Sequence, residues 1–212
     1  MNIVIIGTGY VGLVTGVGLA SLGNNINFLD LDKNKIQNLS NKKITFYEPG
    51  LEEYFNDDET FSRMFFSSDY ASIEWQNIDI VFVCVQTPNN LETNSVDTNF
   101  LESALKEINN VNNDDLVITV KSTIPPYEIE KVCEKVGMDS SKLTFNPEFL
   151  REGTAVEDFF KPDRIVLGGT NNEKLNKLKE LYTDFDCEII TTDSISSQLI
   201  KYLANTYLPL RL

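Results

Sequence analysis

Six residues near the N-terminus, Gly7-Thr8-Gly9-Tyr10-Val11-Gly12, have the types and spacing to hold the pyrophosphate of a dinucleotide. They directly follow the β-branched run Ile3 to Ile6 and open a segment of helical period, the context in which a GxGxxG match carries information. Gly7 permits the tight turn, Gly9 lets the backbone approach the phosphates, and Gly12 allows close packing of helix on strand. Amides at the start of that helix then face the anion. Asp30, at the end of the second strand, can accept hydrogen bonds from the ribose hydroxyls, and its charge would repel a 2′-phosphate, so NAD is expected over NADP. Lys35 either neutralises part of this site or is an ordinary solvated helix lysine.

Other chemistry is narrowed by what the chain lacks. It contains no histidine, the commonest general base and metal ligand, so acid-base work falls to carboxylates, Lys, Cys, Tyr or water. The three cysteines, Cys84, Cys133 and Cys187, are too scattered for a metal site or a disulfide framework. No metal is expected, and a reducing cytoplasm fits. With 18 basic and 32 acidic residues the net charge is −14, which repels nucleic acid and anionic membrane from most of the surface. An anionic ligand must therefore be held locally, by backbone amides or a few placed cations.

These residues need a scaffold, and the pattern supplies an α/β one. Short β-branched runs alternate with longer segments of helical period, the signature of a mostly parallel sheet with helices on both faces. The strands are expected at Ile3 to Ile6, Ile26 to Leu29, Ile80 to Val85, Leu116 to Val120, Leu143 to Phe145, Ile165 to Leu167 and Glu188 to Ile190. Helices are expected after the glycine loop, where Leu13, Val17 and Ala20 share a face, over Asp97 to Ile108, after Pro125-Pro126, and over Glu173 to Tyr182. The uncharged stretch from Asn2 to Leu29 carries six glycines and no basic flank, so it reads as a buried βα unit rather than a membrane span. The sequence suggests a Rossmann-type, doubly wound domain over 1–192. Residues 193–212 then read as the start of a long helix with Leu199, Leu203 and Tyr207 on one side.

Five segments go beyond the generic dinucleotide pattern. Gly7 to Leu13, Tyr47-Glu48-Pro49-Gly50-Leu51, Lys121-Ser122-Thr123-Ile124-Pro125, Asn146 to Gly153 continuing to Pro162-Asp163-Arg164, and Leu199 to Leu208 together resemble the UDP-glucose/GDP-mannose dehydrogenase family in order and spacing. The last looks most like the UDP-glucose branch. The resemblance covers nearly the whole chain. It implies oxidation of a sugar C6 alcohol, UDP-glucose to UDP-glucuronate, with two NAD, in the supply of polysaccharide precursors. In that chemistry the aldehyde is captured by a cysteine thiolate, oxidised to a thioester and hydrolysed.

By that similarity Gly7, Gly9, Tyr10, Val11, Gly12, Asp30, Lys35, Thr87, Thr123 and Glu152 line the NAD site, with Thr87 at the end of the strand that closes on Val85. Thr123 and Glu148 hold a water for proton transfer. Lys201 and Asn205, one helical turn apart, steady the C6 oxygen as it gains charge. Glu148, Phe149, Leu150 and Glu152, with Lys201 and Asn205, contact the sugar nucleotide.

Two departures from the family pattern carry further expectations. The family's nucleophile lies in a glycine-rich segment ending Cys-x-Pro-Lys-Asp, which nothing here resembles. Cys84, placed inside a strand, and the other two cysteines read as small hydrophobes, so these 212 residues are expected to bind NAD without turning over UDP-glucose. Pro209 removes the hydrogen bond to the Asn205 carbonyl and displaces Leu208 from helical geometry, so the last helix is expected to kink or end there. The family's homodimer is correspondingly in question for this chain. Alternatives are a dehydrogenase for GDP-mannose or a UDP-N-acetylhexosamine, or a stand-alone NAD-binding module.

Overall fold

A computed structural model describes residues 1–90 and 95–210 of the chain. Ten strands and nine α-helices are described in it. β1 (Asn2–Ile6), α1 (Tyr10–Ser21), β2 (Asn25–Leu29), α2 (Lys33–Ser40), α3 (Leu51–Asn56), α4 (Asp58–Ser62) and β3 (Met64–Ser67) form the first half-unit. β4 (Ile80–Val83) leads to a two-stranded antiparallel ribbon, β5 (Asn89–Asn90) and β6 (Ser95–Val96). α5 (Asn99–Asn109), β7 (Val117–Val120), α6 (Pro126–Val136), β8 (Leu143–Phe145) and α7 (Ala155–Phe160) follow. The chain then runs through β9 (Arg164–Gly169), α8 (Asn172–Glu180), β10 (Glu188–Thr192) and α9 (Ser194–Leu210).

The main sheet has the order β10-β9-β8-β7-β4-β1-β2-β3. From β3 to β8 all neighbours are parallel; β9 pairs antiparallel with β8, and β10 is parallel to β9. Without the ribbon, the six parallel strands follow the Rossmann order, with the switch point between β1 and β4, so the sheet is doubly wound. Alternate residues of each strand feed two cores. Ile3 and Ile5 join Phe28, Phe82 and α1 on one face, whereas Val4 and Ile6 join Val81, Val83, α5 and α6 on the other. Burial on both faces explains why these strands are continuous apolar runs rather than alternating ones.

Several expected boundaries move. β4 stops at Val83, so Cys84 is the first residue beyond the strand rather than inside it, and Thr87 is four positions into the loop. The chain leaves the ladder because the Val85 carbonyl accepts from the Ser122 hydroxyl (2.6 Å) instead of a strand partner. β7 begins at Val117, one residue late. α9 continues through Leu208 and Pro209 to Leu210, which corrects the ending that was one of the two outcomes expected there: the proline withholds a single amide, and one missing bond does not stop the helix. Residues 211–212, placed in this helix by sequence, lie outside the described residues.

α9 opens on an Asp193 cap, whose carboxylate accepts from the Ser196 amide at 2.8 Å. Its inner face is polar: Ser197, Gln198 and Lys201 are buried, while Ile195, Leu199, Leu203 and Tyr207 are exposed. The apolar side expected from sequence therefore faces outward. Among the described residues no helix is long and apolar enough to cross a membrane, and no cluster of potential metal ligands occurs.

Candidate active site

The glycine loop turns between the end of β1 and α1. Gly7 has φ +95°, and a Cβ there would lie 2.7 Å from the Cys84 carbonyl oxygen; one on Gly12 would collide with the Gly7 carbonyl oxygen, 1.9 Å away. Those two glycines are required by the fold itself. Gly9 differs: its φ is −72°, open to any residue, and an added Cβ would meet nothing within 4 Å. Nothing in the protein demands glycine there, so the demand comes from a ligand that approaches the backbone. The residues present therefore fit a dinucleotide pyrophosphate.

Asp30 follows β2 and is drawn to the same loop. Its Oδ2 accepts from the Thr8 amide (2.8 Å) and hydroxyl (2.7 Å), its Oδ1 accepts from the Asp32 amide (3.0 Å), and Lys35 Nζ stands 3.7 Å away. Burial works to raise its pKa, but these hydrogen bonds and the Lys35 charge outweigh it and hold the carboxyl below the usual range. Lys35 thus has its ammonium near Asp30 with a third of its side chain exposed. Thr8, which sequence gave no role, links the carboxylate to the loop. On the other side of the switch point the Thr87 hydroxyl donates to the Thr123 carbonyl (2.8 Å), bringing these two expected cofactor residues together. Tyr10 and Val11 are partly buried against the α1 core, and Glu152 is exposed.

Beyond the C-terminal ends of β7 and β8 lies a cleft of about 590 Å³. Glu148, Phe149, Leu150, Lys201 and Asn205 all line it; Thr123 and Glu152 do not. Lys201 Nζ bonds Glu148 Oε1 at 2.8 Å, with only 7% and 14% of the two side chains exposed, while Glu148 Oε2 accepts from the Leu150 amide at 2.7 Å. Asn205 stands one turn further along α9 at the exposed rim. The Phe149 ring lies under two cations, Arg164 at 4.7 Å and Lys201 at 5.4 Å from its centroid. Thr123 instead lines a water-sized cavity shared with Pro147, Gln198 and Lys201.

Lys121 opens the Lys121-to-Pro125 segment, and nothing in its spacing indicates a role. It is buried at the cleft, donating to Asn146 Oδ1 at 2.9 Å, an atom that also accepts from the Tyr182 hydroxyl at 2.7 Å. Burial pushes its pKa down. Cys84 is buried below the glycine loop and its thiol is pushed up to about 12 by that burial, so it has no tendency to form a thiolate nucleophile. Cys133 is buried and Cys187 half-buried, as small hydrophobes are.

Residues 1–186 match the model of the UDP-glucose/GDP-mannose dehydrogenase family, NAD binding domain. The chain belongs to this family. Its expected cofactor, NAD, is the one that family domain binds. The UDP-glucose 6-dehydrogenase of Rickettsia bellii is 40% identical over 213 residues, covering 98% of this chain and 49% of that protein. Among solved structures, a UDP-glucose dehydrogenase from Pyrobaculum islandicum superposes with a TM-score of 0.86 at 32% identity, over 98% of this chain and 49% of that one. A GDP-mannose dehydrogenase from Pseudomonas aeruginosa gives 0.88 at 26%, over 100% and 50%. The family chain therefore spans about half the length of the relatives it matches.

Proposed function

We propose that the chain is the cofactor-binding part of an NAD-dependent nucleotide-sugar 6-dehydrogenase, with UDP-glucose as the substrate and UDP-glucuronate as the product. The observation that carries this reading is the buried Lys201–Glu148 pair, set in the cleft with Asn205 one helical turn away. NAD, when bound, supplies the hydride acceptor. Gly7, Gly9, Tyr10, Val11 and Gly12 hold its pyrophosphate on backbone amides, Asp30 and Lys35 the adenosine ribose, and Thr87, Thr123 and Glu152 the rest of the molecule. Lys201 and Asn205 aim a cation and an amide at the sugar C6 oxygen, where they stabilise a developing negative charge. Glu148, ion-paired to that lysine, acts with Thr123 on a water as proton acceptor. Phe149, Leu150 and Glu152 shape the wall against the sugar nucleotide.

On this reading the chain divides into an NAD-binding domain, 1–192, and the start of an interdomain helix, 193–212, in a cytoplasmic enzyme that works as a homodimer without metal, membrane or nucleic-acid partners. The cysteine that completes the second oxidation is not among these residues, so the isolated chain binds NAD and does not oxidise UDP-glucose. Calorimetric titration with NAD, NADP and UDP-glucose, together with an NADH absorbance assay, tests both statements. NAD binding without NADP binding or turnover is expected; steady NADH production by the purified chain overturns the second. The high similarity to the GDP-mannose enzyme favours one alternative, a different nucleotide sugar, which a substrate panel on the complete enzyme would decide.

A further inference from the structure

Glu48 belongs to neither the glycine loop nor the cleft lining, yet only 4% of it is exposed. A buried carboxylate is costly unless its oxygens are occupied, and both are. Oε2 accepts from the Gly153 amide at 2.9 Å and Oε1 from the Ala155 amide at 2.8 Å, across more than a hundred residues of chain. Ala155 begins α7, whose cap residue Thr154 makes no side-chain capping bond, so Glu48 supplies from a distance the acceptor that the helix start lacks. The residues just before it, Glu148 to Arg151, form one wall of the cleft. Gly153, held at φ +90°, is where this wall turns into α7.

The other side of Glu48 meets the glycine loop. Tyr10, the first residue of α1 and next to Gly9, has its ring 5.7 Å from that of Phe46, two positions before Glu48. Its hydroxyl is buried and finds no partner in hydrogen-bond geometry among the described residues. Burial first, then the charge of Glu48, pushes the Tyr10 pKa up. A pyrophosphate seated against Gly9 would hold the first turn of α1, and Tyr10 with it, against this segment.

We propose that Glu48 is a positioning residue that couples the dinucleotide loop to the cleft: its segment packs on Tyr10 through Phe46, while its carboxylate fixes the backbone of the wall at Gly153 and Ala155. The coupling rests on the NAD reading above; the fixing of the wall does not. Ordering the glycine loop then orders the wall, and the effect is reciprocal.

Amide hydrogen exchange on the chain, with and without NAD, tests this in the wild type, Glu48→Gln and Phe46→Ala. A carboxamide offers one acceptor oxygen to two amides, so Glu48→Gln should raise exchange at Gly153 and Ala155 about tenfold without NAD, the rest of the domain unchanged, and weaken NAD binding at least threefold. Phe46→Ala, which removes the ring packed on Tyr10, should keep the wild-type exchange without NAD and lose the slowing that NAD imposes on these two amides. Wild-type exchange or wild-type NAD affinity in Glu48→Gln would overturn the proposal. If that variant does not fold, NAD-dependent slowing that survives in Phe46→Ala overturns it equally. Absence of NAD binding to the wild type refutes the cofactor reading, whereas NAD binding with an unresponsive wall refutes the coupling alone.

Discussion

Replacing Asp30 by asparagine separates the cofactor role of this residue from its structural one. The carboxylate accepts three hydrogen bonds, two from Thr8 on one oxygen and one from Asp32 on the other. The amide keeps one acceptor oxygen and turns an NH2 toward a donor, a loss of about 1–2 kcal/mol. For a domain of this length that lowers Tm by roughly 2–8 °C. The effect on ligands is larger. Two ribose hydroxyls bonded to a charged acceptor contribute about 1.5–3 kcal/mol each, and a neutral acceptor roughly half of that, so NAD affinity should fall about 10- to 150-fold. A 2′-phosphate about 4 Å from the native carboxylate meets a repulsion of about 4 kcal/mol at an effective dielectric near 20, which the variant removes. The preference for NAD over NADP should therefore collapse. Calorimetric titration of both proteins with both dinucleotides is the assay. An Asp30→Asn variant that holds NAD within twofold of wild type, or keeps the wild-type preference, refutes the reasoning.

Gly9→Ala should leave urea stability within about 1 kcal/mol and weaken NAD at least tenfold, whereas Gly12→Ala should lose about 1–3 kcal/mol or more from the clash with Gly7, read by the same denaturation and titration. Lys201→Met leaves Glu148 buried with only the Leu150 amide, at a cost of about 3–5 kcal/mol, and adding Glu148→Gln should restore part of it; additive losses in a double-mutant cycle would deny the pair. Acid should unfold the chain through its depressed carboxyls. Arg151 is the chief cause at Asp158, while at Asp30 and Asp79 burial is outweighed by hydrogen bonds. Because the folded values lie below the unfolded value of about 3.9, this stabilisation is complete above that pH and is lost as pH falls through the folded values. The urea midpoint should hold steady from pH 7 to about 5 and drop below about 4, and a midpoint unchanged at pH 3 would contradict it.

The central strands were legible because burial on both faces writes them as unbroken β-branched runs, Ile3 to Ile6 being the clearest. β3 was not: Met64–Ser67 lies at the sheet edge with Phe65 exposed, and two aromatics flanked by Met and Ser carry no period. α3, α4 and α7, of five or six residues, are shorter than two helical turns and leave no repeat to detect. The reversed direction of β9 left no trace either, since a strand's composition does not encode its polarity. At the site, Gly7 to Gly12 and Asp30 were readable because their spacing is local. Thr8, Lys121 and Glu48 stood in plain view within motifs, but their roles depend on contacts made far along the chain, Glu48 with Gly153 most of all. The outward turn of Leu199 and Leu203 ran against the usual rule that an apolar stripe faces the core, because Ser197 packs so closely on Gly168 that a Cβ on that glycine would fall 2.4 Å from the Ser197 Cβ.

The reversal at β9 has a consequence for how the cleft is built. In an all-parallel sheet the chain leaving β8 would have to travel to the opposite edge before the next strand began. Here β9 starts at the edge where β8 ends, so the connection from Asn146 to Asp163 begins and ends at the strand ends where the glycine loop lies, while α7 within it packs down along α1, Phe159 against Gly18. β10 runs the same way as β9, so α9 sets out from the far edge and climbs back, at about 1.5 Å per residue, to deliver Lys201 from underneath. A single change of direction thus sends the chain past one edge twice more, and the second passage enters from the side that the first leaves open. The connection carries Glu148 and is pinned by Glu48 and by Phe159 on Gly18, while the lysine that answers it is carried on a separate support.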